Sequence, residues 1–563
     1  AAIAGLFLSL VGGHPESAFH VAGVSGLWFL RELARARRRG RAFGAAIGAG
    51  VIAFALAAPA LLPVLEVIPQ TREARDRAAP GPHRTSNSFA EAGKSAVGAV
   101  FPDFYGRWLS PSSPSAPSFL SATVASAGGI ALALAAIGLF SARREKWPLA
   151  ILAAATLAIA VGIPGISDFV NRLPLFRLAL NNRLASATAF LLAALAALGF
   201  EELVRSSRRA WILPLGAAAL AAIALARRPA LVARGVPPAP LLQSAAWFCG
   251  GLVLLWILRI ALRRPAPFGA AAAALFLVFR TAETPRPSPT FRAADFYPAI
   301  PELDRIPRGE PWRIAGLGNA LVPNQATLWG LEDARGYEGV NNARLVETFP
   351  LWSAAQPVWF NRVDDPNRPF LRFLNVRWLA AAPGVPTTGG RREIARGSAL
   401  SLFENSAALP RAFAPRRIRF VGDPSRTVRE MEANGDFADL AWIEAPGEAP
   451  REIDNGAASV RVREHGPDLV LDVDAGSPAW IVASETNWRG WRARENNARY
   501  PIRFANHAFV GFRVPAGKHR IRLEYRPASF ALGLVAAAAA VAALLLAGFR
   551  GRAGAVSATG NSP

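Results

Sequence analysis

The stretch from Ala528 to Phe549 contains no charged residue, and no other feature constrains the chain as strongly. Its length is close to the about 20 apolar residues that a helix needs to cross a bilayer. Similar stretches recur from residue 1 to about residue 280. The pattern predicts membrane spans at 1–11, 17–30, 42–65, 119–140, 147–165, 184–200, 211–226, 240–258, 266–279 and 528–549. Because the first is too short to cross and Met431 is the single methionine, we expect the natural N-terminus to be missing.

Many of the arginines lie in short connectors between the apolar stretches. The net charge is +23, and the connector Arg31–Arg41 holds six arginines against one glutamate. Basic connectors mark the cytoplasmic side of a membrane protein. The pattern therefore places the turn Gly12–Glu16 and residues 66–118, 166–183 and 281–527 outside the cytoplasm, with a cytoplasmic tail at 550–563. It also argues against nucleic acid as a partner, since the charge has a topological role.

The sequence changes character after residue 280, where charged residues, proline and aromatic residues replace the apolar runs. In Lys518–Tyr525, Ile521 and Leu523 alternate with Arg520 and Arg522, which is the two-residue period of a half-buried strand. The predicted fold class is a polytopic α-helical membrane domain followed by an extracytoplasmic α+β, mostly-β domain. Its parts are a domain of about nine spans at 1–280, a mixed segment at 281–456, a β-sandwich at 457–527 and one C-terminal transmembrane helix at 528–549.

Several short motifs follow one another in a recognisable order. They are Gly13-His14-Pro15-Glu16, Leu173-Pro174-Leu175-Phe176-Arg177, the run from Gly330 to Gly339, Glu485 with Trp488 to Trp491, Val514 to His519, and Tyr525-Arg526-Pro527. Together they resemble the YfhO-like family of bacterial multi-pass membrane proteins. The resemblance implies a GT-C-type glycosyltransferase of the bacterial cytoplasmic (inner) membrane. Such an enzyme moves a sugar from a polyprenyl-phosphate carrier to an extracytoplasmic cell-envelope glycan.

This chemistry asks for a carboxylate that accepts the proton of the acceptor hydroxyl and for cations that stabilise the leaving phosphate. The resemblance implies a catalytic acidic residue in the first extracytoplasmic loop, where GT-C enzymes carry it. We expect this loop to precede the present chain. Within the chain, Asp103 is the candidate catalytic carboxylate, and Arg107, four residues on, is a candidate phosphate partner. Loop packing is the other interpretation of this cluster.

The candidate substrate-binding residues lie in three further places on the predicted outer side. They are His14 and Glu16 in the first turn, Arg177, Asn182 and Arg183 before a span, and Tyr337 and Glu338 in a glycine-flanked turn. Each has a structural alternative: a solvated turn, arginines that anchor the span at the headgroups, and a rigid turn, respectively. Trp488 and Trp491 fit either sugar stacking or core packing.

Two other functions remain open at this point, namely a lipid-linked sugar transporter or flippase and a non-enzymatic envelope assembly factor. Transport predicts ionisable residues inside the spans, and 42–65, 119–140 and 528–549 contain none. The single cysteine, Cys249, excludes a disulfide framework, and six scattered histidines argue against a histidine metal site. No cofactor is certain, and a divalent cation held by carboxylates stays open. The expected partners are the polyprenyl-phosphate-linked sugar donor, the glycan acceptor and the lipid bilayer.

Overall fold

The computed structural model of the chain consists of two compact units. It describes residues 2–78, 87–101, 106–107, 110–111, 125–233, 237–283, 292–337, 340–354, 361–385 and 391–559. The first unit comprises Ala1–Ala57 and Pro80–Pro289, and the second comprises Ala58–Ala79 and Thr290–Pro563. The long helix α3 (Arg39–Val67) therefore contributes residues to both units.

The first unit is almost entirely helical in its described residues. The helices up to residue 283 are, in chain order, α1 (Ala2–Val11), α2 (Pro15–Arg35), α3 (Arg39–Val67), α4 (Arg72–Ala78), α5 (Phe89–Val100), α6 (Gly129–Gly138), α7 (Lys146–Ala160), α8 (Ile166–Arg172), α9 (Ala185–Arg205), α10 (Ile212–Val232), α11 (Ala239–Ala261) and α12 (Pro265–Glu283). Of these, α3 belongs partly and α4 wholly to the second unit. A short two-stranded ladder joins β1 (Gly106–Arg107) to β2 (Ser110–Pro111).

The core of the first unit forms where α6, α9, α10, α11 and α12 pack together. Leu134, Leu195, Leu213 and Leu252 are among its buried side chains. Helices α6 and α9 approach most closely at Gly138 and Gly199, where a Cβ on Gly199 would lie 1.8 Å from the backbone oxygen of Leu134. Small residues allow such backbone contact between helices in a membrane. This crossing therefore depends on glycine at both positions.

Five helices in the described residues are long and apolar enough to span a membrane. They are Arg39–Gln70, Asn181–Arg205, Ile212–Val232, Ala239–Ala261 and Ala528–Phe549. They coincide with the predicted spans 42–65, 184–200, 211–226, 240–258 and 528–549. The predicted spans 1–11, 147–165 and 266–279 correspond to shorter apolar helices. Helix α2 has 21 residues but carries several charged and polar groups, and it is not one of the five.

The prediction of a span at 119–140 was too long. In the described residues from 125 onward, the helix begins only at Gly129 and ends at Gly138. Gly128 precedes it with a positive φ of 90°, a conformation that glycine adopts without steric cost and that a helix interior does not contain. The Gly128-Gly129 pair therefore starts the helix late, and the resulting ten-residue helix is too short to cross the bilayer alone.

The second unit contains the remaining helices and almost all of the strands. The helices are α13 (Ala293–Phe296), α14 (Ala343–Glu347), α15 (Pro369–Phe373), α16 (Pro424–Glu432) and α17 (Ala528–Thr559). The strands are β3 (Arg313–Gly316), β4 (Glu332–Asp333), β5 (Val376–Ala381), β6 (Arg392–Arg396), β7 (Ser401–Glu404), β8 (Ala412–Phe413), β9 (Arg417–Val421), β10 (Leu440–Glu444), β11 (Arg451–Asp454), β12 (Ala458–Glu464), β13 (Asp468–Ala475), β14 (Ala479–Thr486), β15 (Trp491–Glu495), β16 (Ala498–Tyr500), β17 (Ile502–Ala505), β18 (Phe509–Val514) and β19 (Gly517–Tyr525).

These strands form three sheets, two of which mix parallel and antiparallel pairs. The orders are β4-β3-β5-β7-β6, β11-β9-β10-β17-β18-β14-β8 and β12-β13-β19-β15-β16. The last sheet packs its inner face on β14 and β18, with Leu471, Ile481, Phe512 and Ile521 fully buried between them. Strand β19 has the alternation that its sequence predicted, with Leu523 buried and Arg522 exposed.

Residues 68–78 extend the second unit from the N-terminal part of the chain. Thr71 forms a β-bridge with Asn342, and the backbone N–H of Arg72 donates to the carbonyl of Asn341 at 2.9 Å. Arg75 then pairs with Glu347 at 2.8 Å. The second unit is therefore built from two segments that lie far apart in the sequence.

Candidate functional site

A polar cluster forms in the first unit at the N-terminal end of α2. His14 is the N-cap of this helix, and its Nδ1 accepts a hydrogen bond from the backbone N–H of Ser17 at 3.2 Å. Pro15 occupies the first helical position, where its missing N–H costs nothing. This arrangement places Glu16 in the first turn, where the helix dipole favours a negative charge.

Arg183 joins this turn from 169 positions further along the chain. It belongs to the short 3₁₀ helix Asn181–Leu184, which leads directly into α9. Its Nη1 lies 2.9 Å from Oε2 of Glu16 and also contacts the imidazole of His14. Among the described residues, Nε and Nη2 of Arg183 have no hydrogen-bond partner. A guanidinium held in this way presents two free donors, which is the geometry that binds phosphate or carboxylate in a bidentate manner.

A buried layer of polar side chains supports the cluster. Nε2 of His20 lies 3.1 Å from Oδ1 of Asn181, and Nδ2 of Asn181 donates to Asn171 at 2.8 Å and to the carbonyl of Phe176 at 2.9 Å. The ring of Phe176 packs edge-on against Phe19 at a centroid distance of 4.9 Å. Satisfied buried amides hold the loop before α9 in one conformation, so the position of Arg183 is set by more than its ion pair.

The neighbouring candidates differ in how they join this cluster. Asn182 lies beside Arg183, and its buried Oδ1 has no hydrogen-bond partner in the part of the chain that the structure describes. Arg177 is exposed and forms no ion pair with a described residue, so the structure does not bring it into the contact between Arg183 and Glu16. His20 was not singled out by sequence reasoning, although a histidine inside an apolar stretch is a recognisable signal.

The other predicted site residues are not assembled by the described part of the structure. Asp103 and Glu338 lie outside the described residues. For Arg107 the structure gives the backbone alone, in strand β1. Tyr337, in the second unit, has a half-exposed side chain, and its carbonyl accepts a hydrogen bond from Asn324 at 3.3 Å. Trp491 is partly buried and packs against the core between the sheets, and its Nε1 donates to the carbonyl of Thr486.

A second charged cluster lies buried in the second unit, where Glu485 accepts hydrogen bonds from two arginines. Arg313 Nη2 approaches Oε1 of Glu485 at 3.0 Å, and Arg411 Nε approaches it at 2.5 Å. Arg411 also pairs with Glu332 at 2.6 Å. Burial lowers the pKa of Arg313 to about 10, and the nearby charge of Arg411 acts in the same direction. The cluster joins β3, β4 and β14 to the segment before β8. The largely buried charges of Arg313, Arg411 and Glu485 pair with one another, which indicates a structural role.

Metal-binding side chains do not gather in the described residues: no group of three or more histidine, cysteine, aspartate or glutamate side chains there could hold an ion. The carboxylate of the cluster at α2 is engaged by Arg183, which leaves it poorly suited to a metal. The described residues therefore supply no ligand set for the divalent cation that the sequence left open.

The described residues thus combine five candidate membrane-spanning helices, the last of them C-terminal, with a domain of mixed sheets. The family model described as "Bacterial membrane protein YfhO" matches residues 460–536, from β12 into the first turns of α17. The match supports assignment of the chain to a YfhO-like family, which the ordered motifs predicted. No curated protein and no solved structure matches the chain.

Proposed function

We propose that the chain belongs to a membrane glycosyltransferase of the GT-C type. It would transfer a sugar from a polyprenyl-phosphate carrier to a cell-envelope glycan outside the cytoplasm, at the bacterial inner membrane. The observation that carries the proposal is the Arg183 guanidinium, which Glu16 and His14 hold at one edge while Nε and Nη2 have no hydrogen-bond partner in the described ranges of the chain. A lipid-linked sugar phosphate presents oxygen atoms that match this fork.

The location of the cluster also suits a lipid-linked donor. Arg183 lies in the first turns of the apolar stretch Asn181–Arg205, so it lies near one end of a candidate span. There the prenyl chain of a donor would remain in the bilayer while its phosphate met the arginine. A negative charge that develops on the leaving phosphate is stabilised by such a preorganised cation.

Replacing Arg183 by glutamine tests this role. We expect the kcat/KM for sugar transfer to fall about 100-fold, because removal of one preorganised donor to a developing charge typically costs that much. The measurement is transfer of label from a polyprenyl-phosphate sugar to glycan in membranes that contain the full-length protein. Arg183→Lys should restore only part of the rate, since lysine keeps the charge and loses the fork.

Arg205→Gln is the matched control for this experiment. Arg205 lies at the other end of α9 and also pairs with one glutamate, Glu201, but its side chain is 64% exposed. It should leave transfer unchanged. Equal losses in the two variants would remove Arg183 from the site, and a wild-type protein that transfers no sugar from several donors would contradict the proposed function itself.

Asp103 remains the proposed general base. We expect Asp103→Asn to lower transfer between about 100-fold and 10,000-fold, the usual contribution of a positioned acid or base. The same membrane assay at matched protein level checks it, with Asp76→Asn as the control because Asp76 forms an exposed pair with Arg72 in α4. Wild-type turnover in Asp103→Asn would exclude this residue as the base.

A further inference from the structure

The outer face of the sheet β12-β13-β19-β15-β16 carries a row of arginines that lie directly opposite one another. Arg522 on β19 pairs in register with Arg494 on β15, and Arg494 pairs in register with Arg499 on β16. Like charges at directly opposed positions destabilise a sheet. We call these three residues the arginine row. The positive charge of the arginine row requires negative charge nearby, and the sheet itself supplies only part of it.

The carboxylates around the arginine row are too few to neutralise it. This part of the face has two carboxylates, Asp468 and Glu524, against five arginines, namely Arg492, Arg494, Arg499, Arg522 and Arg526. Asp468 lies 3.3 Å from Arg522 and 2.9 Å from Arg526, and Glu524 lies 3.5 Å from Arg494 and 3.8 Å from Arg526. Arg492 and Arg499 form no ion pair with any described residue. This part of the face therefore keeps a surplus of about three positive charges.

The arginine row also lies close to the membrane-spanning helix α17. Strand β19 ends at Tyr525 and α17 begins at Ala528, so only two residues separate the sheet from the apolar helix. Arg522 is six residues before Ala528, which places it within roughly 20 Å of the start of the helix even in a fully extended chain. The headgroup layers of the two leaflets together add about 10 to 15 Å to a hydrocarbon core of about 30 Å.

The junction between strand and helix is a fixed connection. The backbone N–H of Arg526 donates to the carbonyl of Gly490 at 2.9 Å, and the N–H of Phe530 donates to the carbonyl of Pro527 at 3.2 Å. The rings of Trp491 and Tyr525 pack at a centroid distance of 5.6 Å. The sheet face is thus held close to the start of α17 by the same residues that lead the chain into this helix.

From these observations we propose that the arginine row binds the phosphate groups of anionic lipid headgroups in the leaflet that α17 enters. Planar guanidinium groups bind phosphate oxygens in pairs, and adjacent strands about 4.8 Å apart set the arginines at a spacing that lets neighbours share one phosphate. The bound lipid would supply the missing negative charge. This inference does not depend on the proposed transferase activity.

The test compares lipid preference in the full chain. The protein is reconstituted in phosphatidylcholine vesicles that contain either spin-labelled phosphatidylglycerol or spin-labelled phosphatidylcholine, and the lipid fraction immobilised on the protein is measured. A basic residue near an anionic surface contributes about a factor of five to binding. The triple variant Arg494→Gln, Arg499→Gln, Arg522→Gln should therefore lose a preference of at least about fivefold for phosphatidylglycerol.

The matched control is Arg461→Gln, Lys518→Gln, Arg520→Gln. It removes the same charge from the same face, but its residues are in register with Asp472 and Asp474, which lie further along the strands from α17 than Arg522 does. It should keep the preference. Equal loss in both triple variants would overturn the proposal in favour of general surface charge, and an unchanged preference in the first would overturn it outright.

Two further measurements separate the remaining outcomes. Inorganic phosphate added at constant ionic strength should leave the preference intact, and displacement of the lipid at millimolar phosphate would identify a site for free phosphate instead. The variant Arg494→Lys, Arg499→Lys, Arg522→Lys keeps the charge. It provides a second test if the glutamine variant fails to fold. It should retain most of the preference, and its loss in a folded lysine variant would contradict binding that is driven by charge.

Discussion

Replacing Glu485 by leucine is expected to destabilise the second unit by about 3 to 5 kcal/mol. The carboxylate is the shared partner of Arg313 and Arg411, both of which are largely buried. Removal of one member of a buried ion pair leaves the other charge without compensation, and this costs more than the pair contributed. Arg313 would keep its hydrogen bonds to the carbonyls of Ser484 and Leu374, so the loss is mainly electrostatic.

The measurement is thermal unfolding of the full chain in detergent, followed by tryptophan fluorescence, where a drop of about 10 °C or more is expected. Glu393→Leu is the control, because Glu393 pairs with Arg396 at an exposed position and such pairs contribute about 0 to 1 kcal/mol. Adding Arg313→Met to Glu485→Leu should recover part of the loss. If the two single variants unfold at the same temperature, the cluster is more hydrated than its burial indicates.

Replacing Gly199 by alanine is expected to destabilise the first unit more than the addition of one methyl group elsewhere in its core. The added Cβ would lie 1.8 Å from the backbone oxygen of Leu134 and 2.8 Å from the backbone nitrogen of Gly138. Both neighbours are backbone atoms, so no side chain can rotate away and α6 and α9 must separate. Overpacking usually costs about 1 to 3 kcal/mol, and a forced helix shift exceeds that range.

Gly250→Ala is the matched control, since it adds the same methyl group in α11, where a Cβ meets nothing within 4 Å. Because alanine has a higher helix propensity than glycine, Gly250→Ala should be neutral or slightly stabilising. Size-exclusion chromatography and thermal stability of the purified full chain give the readout. We expect aggregated or strongly destabilised protein for Gly199→Ala alone. Similar behaviour of both variants would mean that α6 and α9 do not cross at these glycines.

Local patterns predicted the elements that depend on local physics. The alternation around Ile521 and Leu523 predicted β19, because burial alternates with a period of two residues along a half-buried strand. The uncharged run that begins at Ala528 predicted α17, because a helix that crosses a bilayer needs about 20 apolar residues. Helix α5 was not predicted, since for residues 66–118 the sequence predicted only a place outside the cytoplasm. Its signal was present: Ser88 accepts a hydrogen bond from the N–H of Glu91, the first half of a capping box that the sequence shows as Ser-x-x-Glu.

The cluster at the N-terminal end of α2 shows what local sequence patterns do not predict. His14 and Glu16 were predicted at a turn and Arg183 at the start of a span, each as a separate candidate. Their contact joins positions 169 residues apart, and such pairing depends on how the helices pack. The same holds for Arg313 and Glu485, which are 172 residues apart. Residue type and periodicity select candidates for a site, whereas tertiary packing decides which of them meet.

The two-segment construction of the second unit has a consequence for biosynthesis. Glu73 accepts a hydrogen bond from the N–H of Asn341, which lies 268 residues later. At about 5 to 20 residues per second, the ribosome needs roughly 15 to 50 s to make the intervening chain. During that interval α4 has been translated but lacks the surface on which it docks. A nascent chain that stalls before Asn341 would therefore display an unfinished segment to chaperones and proteases.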